Sequence, residues 1–156
     1  MIHADPTFWL SPLAWSCLAS MVVAQAIKPF VARLQGRPLE WMRMFETGGM
    51  PSSHTSLVTT LTLAVAAVEG VGSTIFAVVL IFSGYFVFEA TGLRQEVGEQ
   101  AKILNEMFDE LVHSHHLPLD RERLRELVGH TWSEVLGGVV IGVLIFLLAR
   151  PWIVAG

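Results

Sequence analysis

The chain has 156 residues, 53% of them hydrophobic and only 15% charged, with a formal net charge of −4 and a mean hydropathy of +0.55. A soluble domain of this size carries about 25% charged residues, so the composition argues for lipid as solvent, and the length suits one domain over 1–156. The acidic balance excludes a general attraction to nucleic acid, and the single cysteine, Cys17, excludes an intrachain disulfide framework or thiolate metal site.

Met1 to Pro6 carries no Lys or Arg ahead of the first apolar run, unlike a secretory signal. That run, Phe8 to Ile27, is therefore expected to be a retained transmembrane helix. A basic loop follows with Lys28, Arg33, Arg37 and Arg43. The second run, Pro51 to Val68, is short and rich in Ser and Thr, so it should begin below the membrane surface or lie inside the bundle. The third is Ser73 to Ala90 and the fourth Val135 to Val154. Spanning a hydrocarbon core of ~30 Å takes about 20 helical residues. Together the runs predict an all-α, multi-pass membrane helix bundle with about four transmembrane helices.

The third loop holds Arg94, Lys102, Arg121, Arg123 and Arg125. With four spans the two basic loops share one side, which the positive-inside rule makes cytoplasmic. Within this loop Val97, Ala101, Leu104, Phe108 and Leu111 recur at helical spacing, opposite Glu99, Lys102, Glu106, Asp109 and Glu110. That pattern predicts an amphipathic helix. A second short one should start at Asp120, presenting Leu124, Leu127 and Val128. Both would lie at the interface or cover the mouth of the bundle. His113, His115 and His116 read as a solvated loop, since no regular i,i+4 carboxylate accompanies them. In the last run Gly138 and Gly142 form a close-packing face, either within the bundle or between subunits.

Two stretches carry candidate chemistry. Gly48-Gly49-Met50-Pro51-Ser52-Ser53-His54-Thr55 opens the second run. Pro51 suits a helix start and Ser52 or Ser53 a cap. The unpaired N–H groups and dipole of such an end suit an anion, although an ordinary capped helix explains the same residues. Gly129-His130-Thr131-Trp132-Ser133-Glu134 opens the fourth run. Thr131 and Glu134 make a capping box. Glu134 also lies one turn from His130, where a carboxylate can hold a ring N–H and fix the tautomer. Both histidines start apolar helices on one membrane side, among the basic residues. Two imidazoles with several cations make a site for a phosphate ester, one attacking phosphorus and the other protonating the leaving oxygen. Glu89, near the end of an apolar span, is either an interfacial acid or a functional one with Arg94 as partner.

Pro51-Ser52-Ser53-His54 resembles the Pro-Ser-Gly-His motif of the type-2 phosphatidate phosphatase superfamily, and His130-x-x-x-Glu134 its His-x-x-x-Asp motif. The chain is most similar to the divergent membrane branch, through Gly48 to His54, Glu89 with Gly92 and Arg94, and Gly129 to Val135. The Gly98, Gln100, Ala101, Leu104, Asn105 series also fits. The resemblance implies a metal-independent lipid phosphatase without a cofactor. It implies His130 as nucleophile, Glu134 as its orienting acid and His54 as general acid. Ser52 and the Ser53 amide would bind phosphate, with Lys28 as the lysine of the first superfamily motif. Arg37 and Arg43 compete as the second cation, and Arg94 stands in for an arginine missing before His130. Implied substrates are phosphatidylglycerophosphate, phosphatidate or a polyprenyl diphosphate, met at the cytoplasmic surface of the bilayer. Four spans are fewer than membrane members usually have, so either a minimal bundle or a homodimer is expected. The alternatives are a non-catalytic anionic-lipid-binding protein, a small transporter relaying through Glu89 and Arg94, and, further off, a vanadate-dependent oxidase.

Overall fold

A computed structural model describes residues 11–46, 48–115, 124 and 131–155, with the backbone alone at 93–95 and 113–115. It is an all-α membrane bundle: α1 (Pro12–Leu34), a 3-10 helix (Trp41–Phe45), α2 (Ser53–Glu69), α3 (Thr74–Thr91), α4 (Leu93–His115) and α5 (Trp132–Ala155). The stretches Pro12–Leu34, Thr74–Val112 and Trp132–Ala155 are long and apolar enough to cross a membrane. Helix α2, with 17 residues, is the short polar member of the bundle. It is about 25 Å long at 1.5 Å per residue, and it packs against α1, α3 and α5.

What lets so polar a helix sit inside is that neighbouring backbones accept its hydroxyls. Ser56 Oγ donates to Ser20 O at 3.1 Å on α1, and Thr60 Oγ1 to Gly142 O at 3.1 Å on α5. Thr62 and Ser83 share a 2.9 Å hydroxyl pair that ties α2 to α3. In lipid an unsatisfied polar group costs several kcal/mol. Thr60 and Thr62 also donate within α2, to Ser56 O and Val58 O, so the hydroxyl whose bond depends on which way α2 faces is that of Ser56. The Gly138–Gly142 face packs inside the bundle. A Cβ on Gly138 would lie 2.5 Å from Ser52 O, and one on Gly142 2.6 Å from Ser56 O. Tryptophans mark both ends, as interfacial residues do: Trp15 and Trp152 line one groove between α1 and α5, while Trp132 opens α5 at the other end.

The structure corrects three expectations. Lys28 and Arg33 are helical, because α1 runs on to Leu34 and the Lys28 ammonium is held by the Glu46 carbonyl at 2.8 Å. Residues His113 and His115 belong to α4 and not to a loop. The amphipathic helix exists, but its buried face is rotated from the expected stripe. Gly98, Ala101 and Asn105 are buried, while Val97, Leu104 and Leu111 are exposed. Of the second short helix only Leu124 is described, and it is not helical; the rest, with His116, lies outside the described residues.

The rotation of α4 has a polar cause. Asn105 donates through Nδ2 to Leu124 O at 2.9 Å and accepts through Oδ1 from Leu124 N at 3.1 Å. An amide side chain paired this way buries both its donor and its acceptor at no hydrogen-bond loss. Asn105→Leu should cost about 2 kcal/mol for the two bonds. Exchange of the Leu124 amide with solvent deuterium should then accelerate roughly 30-fold. Unchanged exchange would show that the clamp does not hold this segment.

Candidate functional site

One end of the bundle collects the C-terminal end of α1, the N-terminal ends of α2 and α5, and the C-terminal end of α3. Three observations join them. The Ser52 amide donates to Glu134 O at 2.9 Å, locking the start of α2 to the start of α5. The Lys28 ammonium, 3% exposed as a residue, feels the charges of both Glu134 and Glu46. His54 on α2 lines a small cleft with Phe86, Glu89 and Ala90 on α3. Of the residues expected to form a site, Lys28, Ser52, Ser53, His54, Glu89 and Glu134 thus come to this one end. His130 lies outside the described residues, as does the side chain of Arg94.

The local reasons are those of helix ends. Ser52 caps α2: its Oγ accepts from Thr55 N at 3.3 Å and from Thr55 Oγ1 at 3.0 Å. Accepting twice, the hydroxyl keeps its own proton to donate. Ser53 is the first residue of α2 and is buried. Its amide belongs to the first turn, whose N–H groups have no carbonyl partner within the helix. At α5, Glu134 N donates to Thr131 Oγ1 at 3.4 Å, one half of the expected capping box.

Two cations meet at Glu46. Lys28 uses its carbonyl, and Arg43 pairs with its carboxylate at 3.7 Å and with Glu40 at 2.9 Å. Arg43 Nε is buried and has no hydrogen-bond partner among the described residues. Arg37, the other candidate, is exposed, its amide donating to Ala32 O at 3.0 Å. Sequence reasoning missed Glu46, whose contact to Lys28 is made by its backbone carbonyl; its three-residue spacing from Arg43 was the one side-chain signal. Phe86 and Ala90 were missed as walls of the cleft. The signal that could have found them is spacing: Phe86 lies three residues before Glu89 and four before Ala90, the separations at which helical side chains are neighbours.

A family profile described as the divergent PAP2 family matches residues 10–145. An uncharacterized membrane protein of Bacillus subtilis (strain 168), YuiD, is 39% identical over 142 residues, covering 85% of this chain and 90% of that protein. No solved structure matches the chain.

Proposed function

The chain belongs to the divergent PAP2 family, and from that premise we propose that it is a lipid phosphatase acting at the membrane surface. The observation that carries the proposal is the gathering of Lys28, Ser53, His54, Glu89 and Glu134 at one end of an intramembrane bundle. In the proposed reaction a ring nitrogen of His130 attacks the phosphorus of a phosphate headgroup. The bond from phosphorus to the ester oxygen breaks, and the lipid alcohol leaves with a proton from His54. Water then attacks the phosphohistidine and gives its proton to His54. Inorganic phosphate departs and His130 is restored.

The remaining groups serve charge and orientation. Glu134, one turn after His130, holds its ring in the attacking tautomer. Lys28, Arg43 and the Ser53 amide meet the equatorial oxygens as charge builds on them. The buried Arg43 Nε supports this role, because a buried donor without an acceptor costs about 1–3 kcal/mol and a phosphate oxygen would remove that cost. Arg37, which is exposed, serves at the rim. Ser52 acts chiefly by capping α2. Bundle and bilayer together favour an amphiphilic substrate, whose tail stays in lipid while the headgroup reaches His54. The basic loops support a cytoplasmic placement of this end of the bundle.

The test is phosphate release by detergent-purified protein, with chelator present, from phosphatidylglycerophosphate, phosphatidate and a polyprenyl diphosphate. Turnover on at least one is expected. Tight binding across the panel with no turnover would sink the reading and leave a non-catalytic anionic-lipid-binding protein.

A further inference from the structure

The segment after α1 does not run out into water. Trp41 packs edge-on against Phe30, with ring centroids 5.7 Å apart and planes at 84°. Phe30 lies four residues before the end of α1, about 6 Å lower along the axis. Glu46 reaches further back, to the ammonium of Lys28. Residues 41–46 therefore fold back alongside the last turns of a membrane-spanning helix.

This folded-back segment is apolar on its outer side. Trp41 is 58% exposed, Met42 75% and Phe45 80%, and they continue the exposed surface of Phe30 and of Leu34, which is 87% exposed. Those two side chains already belong to the outer surface of a membrane helix. The charges within the segment are internally paired, since Arg43 lies 2.9 Å from Glu40 and 3.7 Å from Glu46. Pairing lowers the cost of leaving bulk water. Arg33 and Arg37 stay exposed beside it, as cations facing anionic headgroups do.

We propose that residues 41–45 insert into the headgroup–acyl boundary of the bilayer, as an interfacial anchor that fixes the height of Lys28 relative to lipid phosphates. Trp41 supplies the amphipathic ring suited to that depth, and Met42 and Phe45 reach toward the acyl chains. The occupant of this apolar surface is the bilayer that the chain already spans. The anchor does not depend on which reaction, if any, the neighbouring site performs.

Spin labels at Met42→Cys and Phe45→Cys, in a Cys17→Ala background, test this in vesicles of phosphatidylglycerol and phosphatidylcholine. Labels at Phe82→Cys on α3 and Glu106→Cys on α4 give the lipid and water references. The expected result is that oxygen collides with the labels at 42 and 45 more often than an aqueous nickel chelate does, as at 82 and in reverse of 106. Nickel access matching that at 106 would overturn the proposal. So would spin–spin broadening that vanishes on dilution with unlabelled protein, because the occupant would then be a second copy. An independent check needs no cysteine. Brominated lipids should quench wild-type tryptophan emission more than that of Trp41→Phe, and equal quenching would overturn the anchor.

Discussion

Gly138→Ala is expected to loosen the bundle by about 3 kcal/mol, the upper part of the range for overpacking, although alanine is the better helix former. The added Cβ would sit 2.5 Å from Ser52 O and 2.7 Å from Thr55 Cβ. The first of these is backbone and cannot rotate away, so α5 and α2 must separate. For a chain of this size that corresponds to a fall of roughly 6–12 °C in melting temperature, read from a thermal scan in detergent. Gly84→Ala supplies the contrast. Nothing lies within 4 Å of a Cβ at Gly84, so only helix propensity acts, worth up to about 1 kcal/mol in favour of alanine. Opposite signs from one substitution at two helical glycines would isolate close approach as the cause. Equal shifts would mean that α2 and α5 do not pack as described. Separation at Gly138 should also break the Ser52–Glu134 backbone bond beside it, so phosphate release should fall with stability.

The second large effect concerns the two histidines, which the proposed reaction uses differently. His130→Ala removes the attacking nitrogen and should abolish phosphate release from every substrate. His54→Gln removes the proton donor of the first step, a contribution of about 10²–10⁴ in that step's rate, and the acceptor of water's proton in the second. That loss should appear with lipid alcohols, which leave poorly without a proton. In the first step it should largely vanish with p-nitrophenyl phosphate, whose leaving group departs as an anion. Pre-steady-state burst rates of the two variants on both substrates make the check. Equal losses of His54→Gln activity on both would remove His54 from the proton-donor role, and His130→Ala as active as wild type would end the phosphohistidine scheme.

Much of the bundle could be read in advance because lipid imposes a coarse rule, long apolar runs, and α3 and α5 follow it within a few residues. The end of the bundle that holds the polar residues was equally legible from Lys28, His54, Glu89 and Glu134. What stayed hidden was carried by backbone groups. Hydropathy ends the first helix where Lys28 begins, yet α1 continues to Leu34 because a carbonyl receives the ammonium. The face of α4 was misjudged for a similar reason. Asn105 counts as polar in any periodicity, but its pairing with Leu124 turns it inward. The choice between an internal and an intersubunit glycine face was open in sequence, since small residues mark close approach without naming the partner. Capping also divided Ser52 from Ser53. The motif makes them look alike, whereas the folded chain commits one to Thr55 and the other to the first turn of α2.

The short polar helix at the centre has a consequence for how the chain is made. Thr60 on α2 shares its hydroxyl between Ser56 O of its own helix and the carbonyl of Gly142, a residue synthesised long after α2 has left the ribosome. Until then α2 can lean on α1, through Ser56 and Ser20, and on α3, through Thr62 and Ser83. The nascent protein must therefore hold a half-finished bundle in the membrane, with the surface of α2 that meets Gly138 and Gly142 still uncovered. Insertion machinery that retains α1 and α2 until α5 arrives would spare them lipid contact. A chain that stops before residue 132 should be an early client of membrane quality control.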